Sequence, residues 1–327
     1  LERVLVTGGA GYVGSHACKA LARAGYLPVA FDNLSNGWAE AVKWGPLAQG
    51  DLMDRAGIDA AINEHQPVAV MHFAALSLVG ESVVNPAKYW RENVGGALNL
   101  LEACAAAGVR NFVFSSTCAT YGDQDGVLLT EDTPQRPINA YGGSKLAIEQ
   151  MLRDFGVAHG INHVIFRYFN VAGADPDGEI GEQHRPETHL IPLMLDAVAG
   201  KRPALTVFGT DYPTPDGTCL RDYVHVADLA VAHVLGLRRL LDGRGNGVFC
   251  LGTGRGFSVR EVIEASRAVT NREVPVVIGE RRPGDAAALV SSSTRAVAEL
   301  GWEPQHSSLR QMIGDAWAWA QKPGFSA

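Results

Sequence analysis

An α/β fold, with a doubly wound parallel sheet of Rossmann type and a smaller α/β substrate domain, is predicted by three observations. Short β-branched and apolar runs alternate with helix-length Ala/Leu-rich stretches through the first 170 residues, the pattern of strands buried on both faces between helices. A glycine-rich turn follows the first of these runs directly and opens a helix. After Asn170 the alternation gives way to Gly-, Pro- and Asp-rich sequence, which implies a loop-rich unit built differently.

Taken in order, "RVLVTGG", "LPVAFDN", "VAVMHFAA", "NFVFSST" and "HVIFRYFN" read as the sheet strands. Beyond them, "GADPDGEIGEQHRPETH" and "GTDYPTPDGT" read as loops, with helices expected near 190–199, 227–241 and 308–320. In "SVREVIEASRAV", Ser258 stands three residues before Glu261, a capping-box start for a late helix. "VFCLGTG" resembles one more sheet strand. Domains are therefore expected at 1–170 and 171–327, with a discontinuous boundary because some later segments return to the first.

With 327 residues, 46% of them hydrophobic, the chain can bury about three quarters of its unfolded surface. The formal charge of −7 is spread along the chain and there is no basic run, so neither nucleic acid nor an anionic membrane is an expected partner. No apolar stretch approaches eighteen residues and no charged n-region precedes the first strand, so neither membrane spanning nor export is expected. Five widely spaced cysteines without C-x-x-C fit a reducing cytoplasm rather than a disulfide framework. Ten histidines without H-E-x-x-H or another familiar ligand spacing suggest no metal.

"VLVTGGAGYVGSHACKAL" sets Gly8, Gly11 and Gly14 between strand and helix, and Gly9, Gly11 and Gly14 also satisfy G-x-G-x-x-G. Such glycines permit a tight turn and close backbone approach, and the helix N-terminus then faces a pyrophosphate with amide hydrogens. Asp32 closes the second strand eighteen residues after Gly14. A carboxylate there bonds ribose hydroxyls and repels a 2′-phosphate, so NAD is expected rather than NADP. Asp51, in "QGDLMD", is a candidate for adenine, or a loop aspartate without such a role.

"NAYGGSKLAIEQ" places Tyr141 and Lys145 four apart on one face of a helix. Lowering a phenol from about 10 towards 7 needs about 4 kcal/mol of differential stabilisation. Two cations at roughly 5–6 Å, the lysine and an oxidised nicotinamide, would each supply about 3 kcal/mol at an effective dielectric near 20. "NFVFSSTCATYG" offers Ser115, Ser116 and Thr117 as a partner hydroxyl at a strand end, although any of them could instead satisfy local backbone.

"TGGAGYVG", Asp32-Asn33, "FSST" and "YGGSK" fall in the order found in the extended short-chain dehydrogenase/reductases, and the chain resembles that family over nearly its whole length. Within it, the motifs "HFAALSLVGESV", "ENVGGALNLLEA", "RYFNVAGADPDGEIGE", "VFGTDYPTPDGTCLRDYVHV" and "RRPGD" are similar to those of the UDP-galactose/UDP-glucose 4-epimerases. The resemblance implies an NAD-binding first domain and a UDP-sugar-binding second one. It implies Tyr141 as acid/base at the sugar 4-hydroxyl, Lys145 on the nicotinamide ribose and Thr117 bonded to the same hydroxyl. Tyr12, Val13, Asn33, Asn36, Leu52, Phe73, Asn93 and Tyr168 would join the cofactor shell. Asn170, His189 and Leu190 would face the sugar nucleotide, Phe208 and Tyr223 the uridine, Arg221 and Arg282 the diphosphate, and Asp285 the uridine ribose. Two arginines are also what a dianionic diphosphate calls for on charge grounds.

The chain departs from the family pattern at three places. Thr117 replaces the usual serine and keeps the hydroxyl, Ser77 stands where many members carry a lysine, and His189 stands where an asparagine is frequent. The expected activity is interconversion of UDP-galactose and UDP-glucose through a transient 4-keto sugar. The alternatives are a 4-epimerase for UDP-pentoses or UDP-uronic acids, or an inactive NAD-binding regulatory protein. A dehydratase is disfavoured because Cys118-Ala119 follow Thr117, without the acid/base carboxylates such enzymes use. The resemblance further implies a homodimer; Leu146, Ile148, Met151, Leu152, Phe155, Val157 and Leu98–Leu101 could supply its helical seam, and serve an ordinary core equally well. Leu289, four residues after Asp285, would set tolerance for acylated amino sugars.

Overall fold

The computed structural model describes residues 1–124, 126–282, 286–322 and 324–326. Along β1 (Arg3–Thr7) alternate side chains enter two different cores: Val4 and Val6 lie on one side of the sheet and Leu5 on the other, all fully buried. A strand covered on both faces needs no polar alternation, which is why it reads as one apolar run. With β2 (Leu27–Asp32), β3 (Leu47–Gln49), β4 (Ala69–His72), β5 (Asn111–Ser115), β6 (Asn162–Tyr168) and β7 (Gly247–Leu251) it forms a seven-stranded sheet. All pairings are parallel, in the order β7-β6-β5-β4-β1-β2-β3. The order reverses between β1 and β4, and this opens a crevice at the carboxyl ends of the strands.

The main helices are α1 (Tyr12–Arg23), α2 (Arg55–His65), α3 (Gly96–Ala107), α4 (Ala140–His159), α5 (Leu190–Val198), α6 (Val226–Leu241), α7 (Val259–Thr270) and α8 (Leu309–Ala320). On one face of the sheet, Cys18 and Leu21 of α1 and Leu229 and Leu237 of α6 meet Val4, Met71, Val113 and Phe166. On the other, Ile58 of α2, Leu100 and Leu101 of α3, and Ile148 and Leu152 of α4 meet Leu5, Val70, Phe112 and Ile165. Each such side chain contributes about 1.5–3 kcal/mol by burial, so the position of α4 is fixed along its length by the sheet beneath it.

A third core, with Met194, Leu195, Val262, Met312 and Ile313, holds α5, α7 and α8 together. Short strand pairs border it: Asn170–Ala172 with Tyr223–His225, Leu205–Phe208 with Val276–Gly279, and Leu220–Arg221 between Phe257–Ser258 and Ala288–Leu289. Between these segments the chain returns to the larger sheet, where α6 packs on it and β7 extends its edge. The capping box at α7 is formed, with Glu261 N donating to Ser258 Oγ and Ser258 N donating to Glu261 Oε2.

Burial decides between seam and core. Leu100, Leu101, Ile148 and Leu152 lie at 0% exposure in the protein's own core, and Met151 and Phe155 pack against it. An apolar period marks a buried face without saying what buries it. Leu98 and Val157 remain on the surface.

Candidate active site

The glycine turn after β1 is shaped by main chain on main chain. Gly8 has φ +73°, and a Cβ there would lie 2.7 Å from the nitrogen of Ala74. A Cβ at Gly14 would lie 2.0 Å from the carbonyl oxygen of Gly8. Gly11 is the N-cap of α1 and supplies no side chain to its first amides, which leaves that helix end suited to an anion. The turn fits the pyrophosphate of a dinucleotide.

Asp32, at the end of β2, is buried, and burial raises its pKa. Its Oδ2 accepts from Ala10 N at 3.0 Å and its Oδ1 from Leu34 N at 2.8 Å. A carboxylate has about four lone-pair sites, so acceptor capacity remains for ribose hydroxyls. Asn33 Nδ2 donates to Asp51 Oδ2 at 2.9 Å, which brings two of the expected cofactor residues together. Asn36 is exposed, and Leu52 and Phe73 are half-buried. Asn93 is engaged on all sides: its Oδ1 accepts from Leu76 N, and its Nδ2 donates to Leu76 O and Ser144 Oγ. It braces the segment after β4 against α4. Val13 packs on the core of the sheet. The Tyr12 hydroxyl donates to Gly173 O at 2.6 Å and so ties α1 to the loop at 173–183.

The three strand-end hydroxyls separate cleanly. Ser115 Oγ is bonded to the Tyr168 hydroxyl. Ser116 Oγ donates to Glu149 Oε1 at 2.7 Å. Thr117 Oγ1 accepts from Ala119 N at 3.1 Å to cap the short turn Cys118–Tyr121, and it is the hydroxyl near enough to Tyr141 to favour the phenolate. Tyr141 opens α4, whose N-cap Asn139 accepts from Gly142 N at 2.8 Å.

Burial raises the Tyr141 pKa above 10, and the Thr117 hydroxyl offsets only part of that rise. Lys145 Nζ donates to Ser115 O at 2.8 Å and stands 4.9 Å from the Phe114 ring centroid. Burial pushes it down to about 7, with the Glu149 charge acting in the other direction. Burial thus weakens the hold of this lysine on its proton, and nearby negative charge strengthens it.

Among the residues expected to face the sugar nucleotide, Asn170 and Tyr223 face each other across a strand pair, and Asn170 Nδ2 donates to Asp222 O at 3.1 Å. Arg221 and Leu289 are likewise paired in register, and Arg221 Nη1 donates to Ala286 O at 2.9 Å. The Arg282 guanidinium lies 4.5 Å over the Phe208 ring. Asp285 lies outside the described residues. Leu190 begins α5 with His189 as its N-cap.

His189 belongs to a cluster that sequence reasoning missed. Its Nδ1 bonds Glu182 Oε1 at 2.6 Å, and His184 Nδ1 lies 3.2 Å from that oxygen and 3.5 Å from Glu187 Oε2. The spacing E-x-H-x-x-E-x-H at 182–189 was the available signal. The histidines hold Glu182 at about 2 against burial, and the carboxylates raise His189 and hold His184 at about 10. Glu149 and Arg167, behind Tyr141 and Lys145, were missed as well.

A family model described as the NAD dependent epimerase/dehydratase family matches residues 4–252. The UDP-glucose 4-epimerase of Rhizobium meliloti is 52% identical over 318 residues, covering 97% of each chain. Among solved structures, the UDP-glucose 4-epimerase of Brucella ovis in complex with NAD superposes with a TM-score of 0.95. It is 50% identical and covers 97% of this chain and 98% of that one. The enzyme of Bifidobacterium longum in complex with NAD+ and UDP superposes at 0.91, with 36% identity over 97% of each chain.

The Glu182–His184 interaction gives a pH test. The His184 contribution is complete below its ordinary 6.5 and is lost as pH rises through about 10. The Glu182 contribution is complete above its ordinary 4.5 and is lost as pH falls towards about 2. The melting-temperature loss caused by His184→Ala should thus be greatest between these ordinary values and shrink on both sides. A loss independent of pH from 3 to 10 would mean that the cluster acts through packing, not charge.

Proposed function

The chain belongs to the NAD dependent epimerase/dehydratase family, and from that membership we infer that it interconverts UDP-galactose and UDP-glucose, with NAD as its cofactor. It is an isomerase acting on a nucleotide-sugar. The observation that carries the reading is that α4 sets Tyr141 near Thr117 and Lys145 Nζ on Ser115 O, both at the end of β5.

Gly8, Gly11 and Gly14 would hold the pyrophosphate of NAD, Asp32 its adenosine ribose and Lys145 its nicotinamide ribose. Tyr12, Val13, Asn33, Asn36, Asp51, Leu52, Phe73, Asn93 and Tyr168 would border it. Bound NAD supplies the capacity to accept and return hydride at sugar C4. Tyr141 removes the proton of the 4-hydroxyl as a 4-keto sugar forms and later returns it to the oxygen of the product. Thr117 bonds the same hydroxyl, and Lys145 in its charged form favours the phenolate. Inversion requires the keto sugar to present its other face, so its anchor must lie in the UDP. Arg221 and Arg282 suit that role by charge, and Phe208, held under Arg282, offers a flat surface to the uridine side. Asn170, His189, Leu190 and Tyr223 complete the substrate pocket.

We further propose a homodimer in a reducing cytoplasm. Val83, Val84, Trp90, Leu98 and Ile138 are exposed apolar side chains, and Trp90 and Ile138 line an open hollow of about 780 Å³ beside Leu146 and Ala147 of α4. A patch of this kind marks an association surface. No disulfide joins the cysteines among the described residues. Among the described residues no helix is long and apolar enough to cross a membrane. Light scattering should give a mass of two chains, and Trp90→Glu should halve it; a single-chain mass for the native protein would end the dimer reading.

The deciding experiment incubates the purified protein with UDP-galactose, UDP-xylose and UDP-galacturonate separately and identifies the products. UDP-glucose from the first is expected, and turnover of another sugar alone would replace the reading. Tyr141→Phe should retain NAD and lose about 10²–10⁴ in kcat. Lys145→Met should raise the kinetic pKa, because the phenolate loses the positive charge that Lys145 carries when protonated. Near-native turnover in the first, or an unmoved pH profile in the second, would remove that residue from its role.

Leu289 is half-buried and paired with Arg221. It is shorter than tyrosine and bulkier than serine, and it offers no hydrogen bond to an acetamido group. Weak activity on UDP-N-acetylgalactosamine is expected beside strong activity on UDP-galactose. Leu289→Tyr should suppress the acetylated substrate selectively and Leu289→Ser should favour it; equal effects on kcat/KM for both would show that Leu289 is not the gate.

A further inference from the structure

Glu149 stands four residues after Lys145 and eight after Tyr141, on the same face of α4, and it is fully buried. A fork from β6 meets it: Arg167 Nε donates to Oε1 at 3.0 Å and Nη2 to Oε2 at 2.6 Å. Ser116 Oγ donates to the same Oε1. The remaining arm of the guanidinium, Nη1, donates to the Tyr121 hydroxyl at 2.8 Å. The residue before Thr117 and the last residue of the turn after it are thus both tied to one ion pair. Its carboxylate rides on the helix that carries Tyr141 and Lys145.

Net stability is a poor account of this pair. Desolvating two charges offsets much of their attraction, and well-packed apolar residues of similar volume often serve a fold equally well. An apolar pair cannot do what a planar fork does, which is to fix direction as well as distance. Here the fork sets the rotation and axial position of α4 relative to β6, and through Ser116 and Tyr121 it sets the strand-end turn relative to α4.

We propose that Glu149 and Arg167 are positioning residues of the reaction, which hold the Thr117 hydroxyl against Tyr141 and Lys145. The proposal rests on the C4-epimerisation reading. A displacement of about 1 Å at a reacting group can cost on the order of 10²-fold in rate; the pair acts through this geometry, with the Glu149 charge also favouring the charged form of Lys145, and neither residue touches substrate.

The test compares the NAD-containing wild type with Glu149→Gln, Arg167→Lys and Ser116→Ala, using UDP-galactose and its 4-deuterated form. Glu149→Gln keeps shape but loses charge, Arg167→Lys keeps charge but loses the fork, and Ser116→Ala removes one hydrogen bond with least risk to folding. Expected are about 10–100-fold losses in kcat for the first two, with KM within about threefold, and a smaller loss in the same direction for Ser116→Ala. NAD content and a cooperative melt should be retained, and the deuterium isotope effect on kcat should grow as the chemical step becomes limiting. Unchanged kcat in all three variants overturns the proposal and leaves the epimerase reading standing. So does a loss that follows the folded, NAD-containing fraction with an unchanged isotope effect. A wild type inactive on UDP-galactose overturns both, since a positioning role requires the reaction.

Discussion

Glu149 carries a charge where solvent does not reach, and much of the molecule is arranged to answer it. Arg167 comes from β6, Ser116 from the end of β5, and the guanidinium also reaches the Tyr121 hydroxyl, so strands and helix are held through one carboxylate. A buried charge without partners would cost several kcal/mol, and the segments that supply partners therefore have little freedom to shift. The residues proposed to react sit within this frame: Thr117 lies between Ser116 and Tyr121, and Lys145 lies one turn before Glu149 on α4.

A second set of contacts joins α1 and Trp38 to the loop at 173–183. The Tyr12 hydroxyl reaches Gly173 O, Lys19 Nζ pairs with Asp175 at 2.7 Å, and Trp38 Nε1 donates to Gln183 O at 2.8 Å. Lys19 is buried, and its hydrogen bonds with Asp175, Asp177 and Glu179 raise its pKa against the effect of burial. The loop that ends at His189 is thus held to the start of α1 by partly buried polar bonds. These bonds place the 182–189 cluster beside Tyr12, whose phenol the Glu182 and Glu187 charges help hold in its neutral form.

Elements whose cause is local were legible in the sequence. The apolar runs became β1, β2, β4, β5 and β6, "VFCLGTG" became the edge strand β7, and Ser258 and Glu261 formed their reciprocal cap. β3 was not read, since Leu47–Gln49 is three residues long and has no burial pattern of its own. The Glu149–Arg167 pair was invisible for a different reason. The two residues are eighteen apart on a helix and a strand, and nothing in the spacing of a glutamate and an arginine distinguishes a buried fork from a surface pair. Among the strand-end hydroxyls the sequence left three candidates because each can satisfy local backbone; tertiary partners for Ser115 and Ser116 separated them. At Ile148 and Leu152 the sequence left seam and core both open, because helical periodicity reports that a face is covered and is silent about the covering partner; burial selects core.

The contact between Gly14 and the carbonyl of Gly8 has a genetic consequence. Any residue other than glycine brings a Cβ, and at Gly14 that atom would fall 2.0 Å from a backbone oxygen that has no rotamer by which to retreat. Every missense change open to a glycine codon is of this kind, so the turn has no conservative neighbours in sequence space. The side chains around it are under no such restriction. Over long divergence, the cradle should persist as a fixed point of main-chain geometry while the residues that line the remainder of the crevice drift and exchange roles.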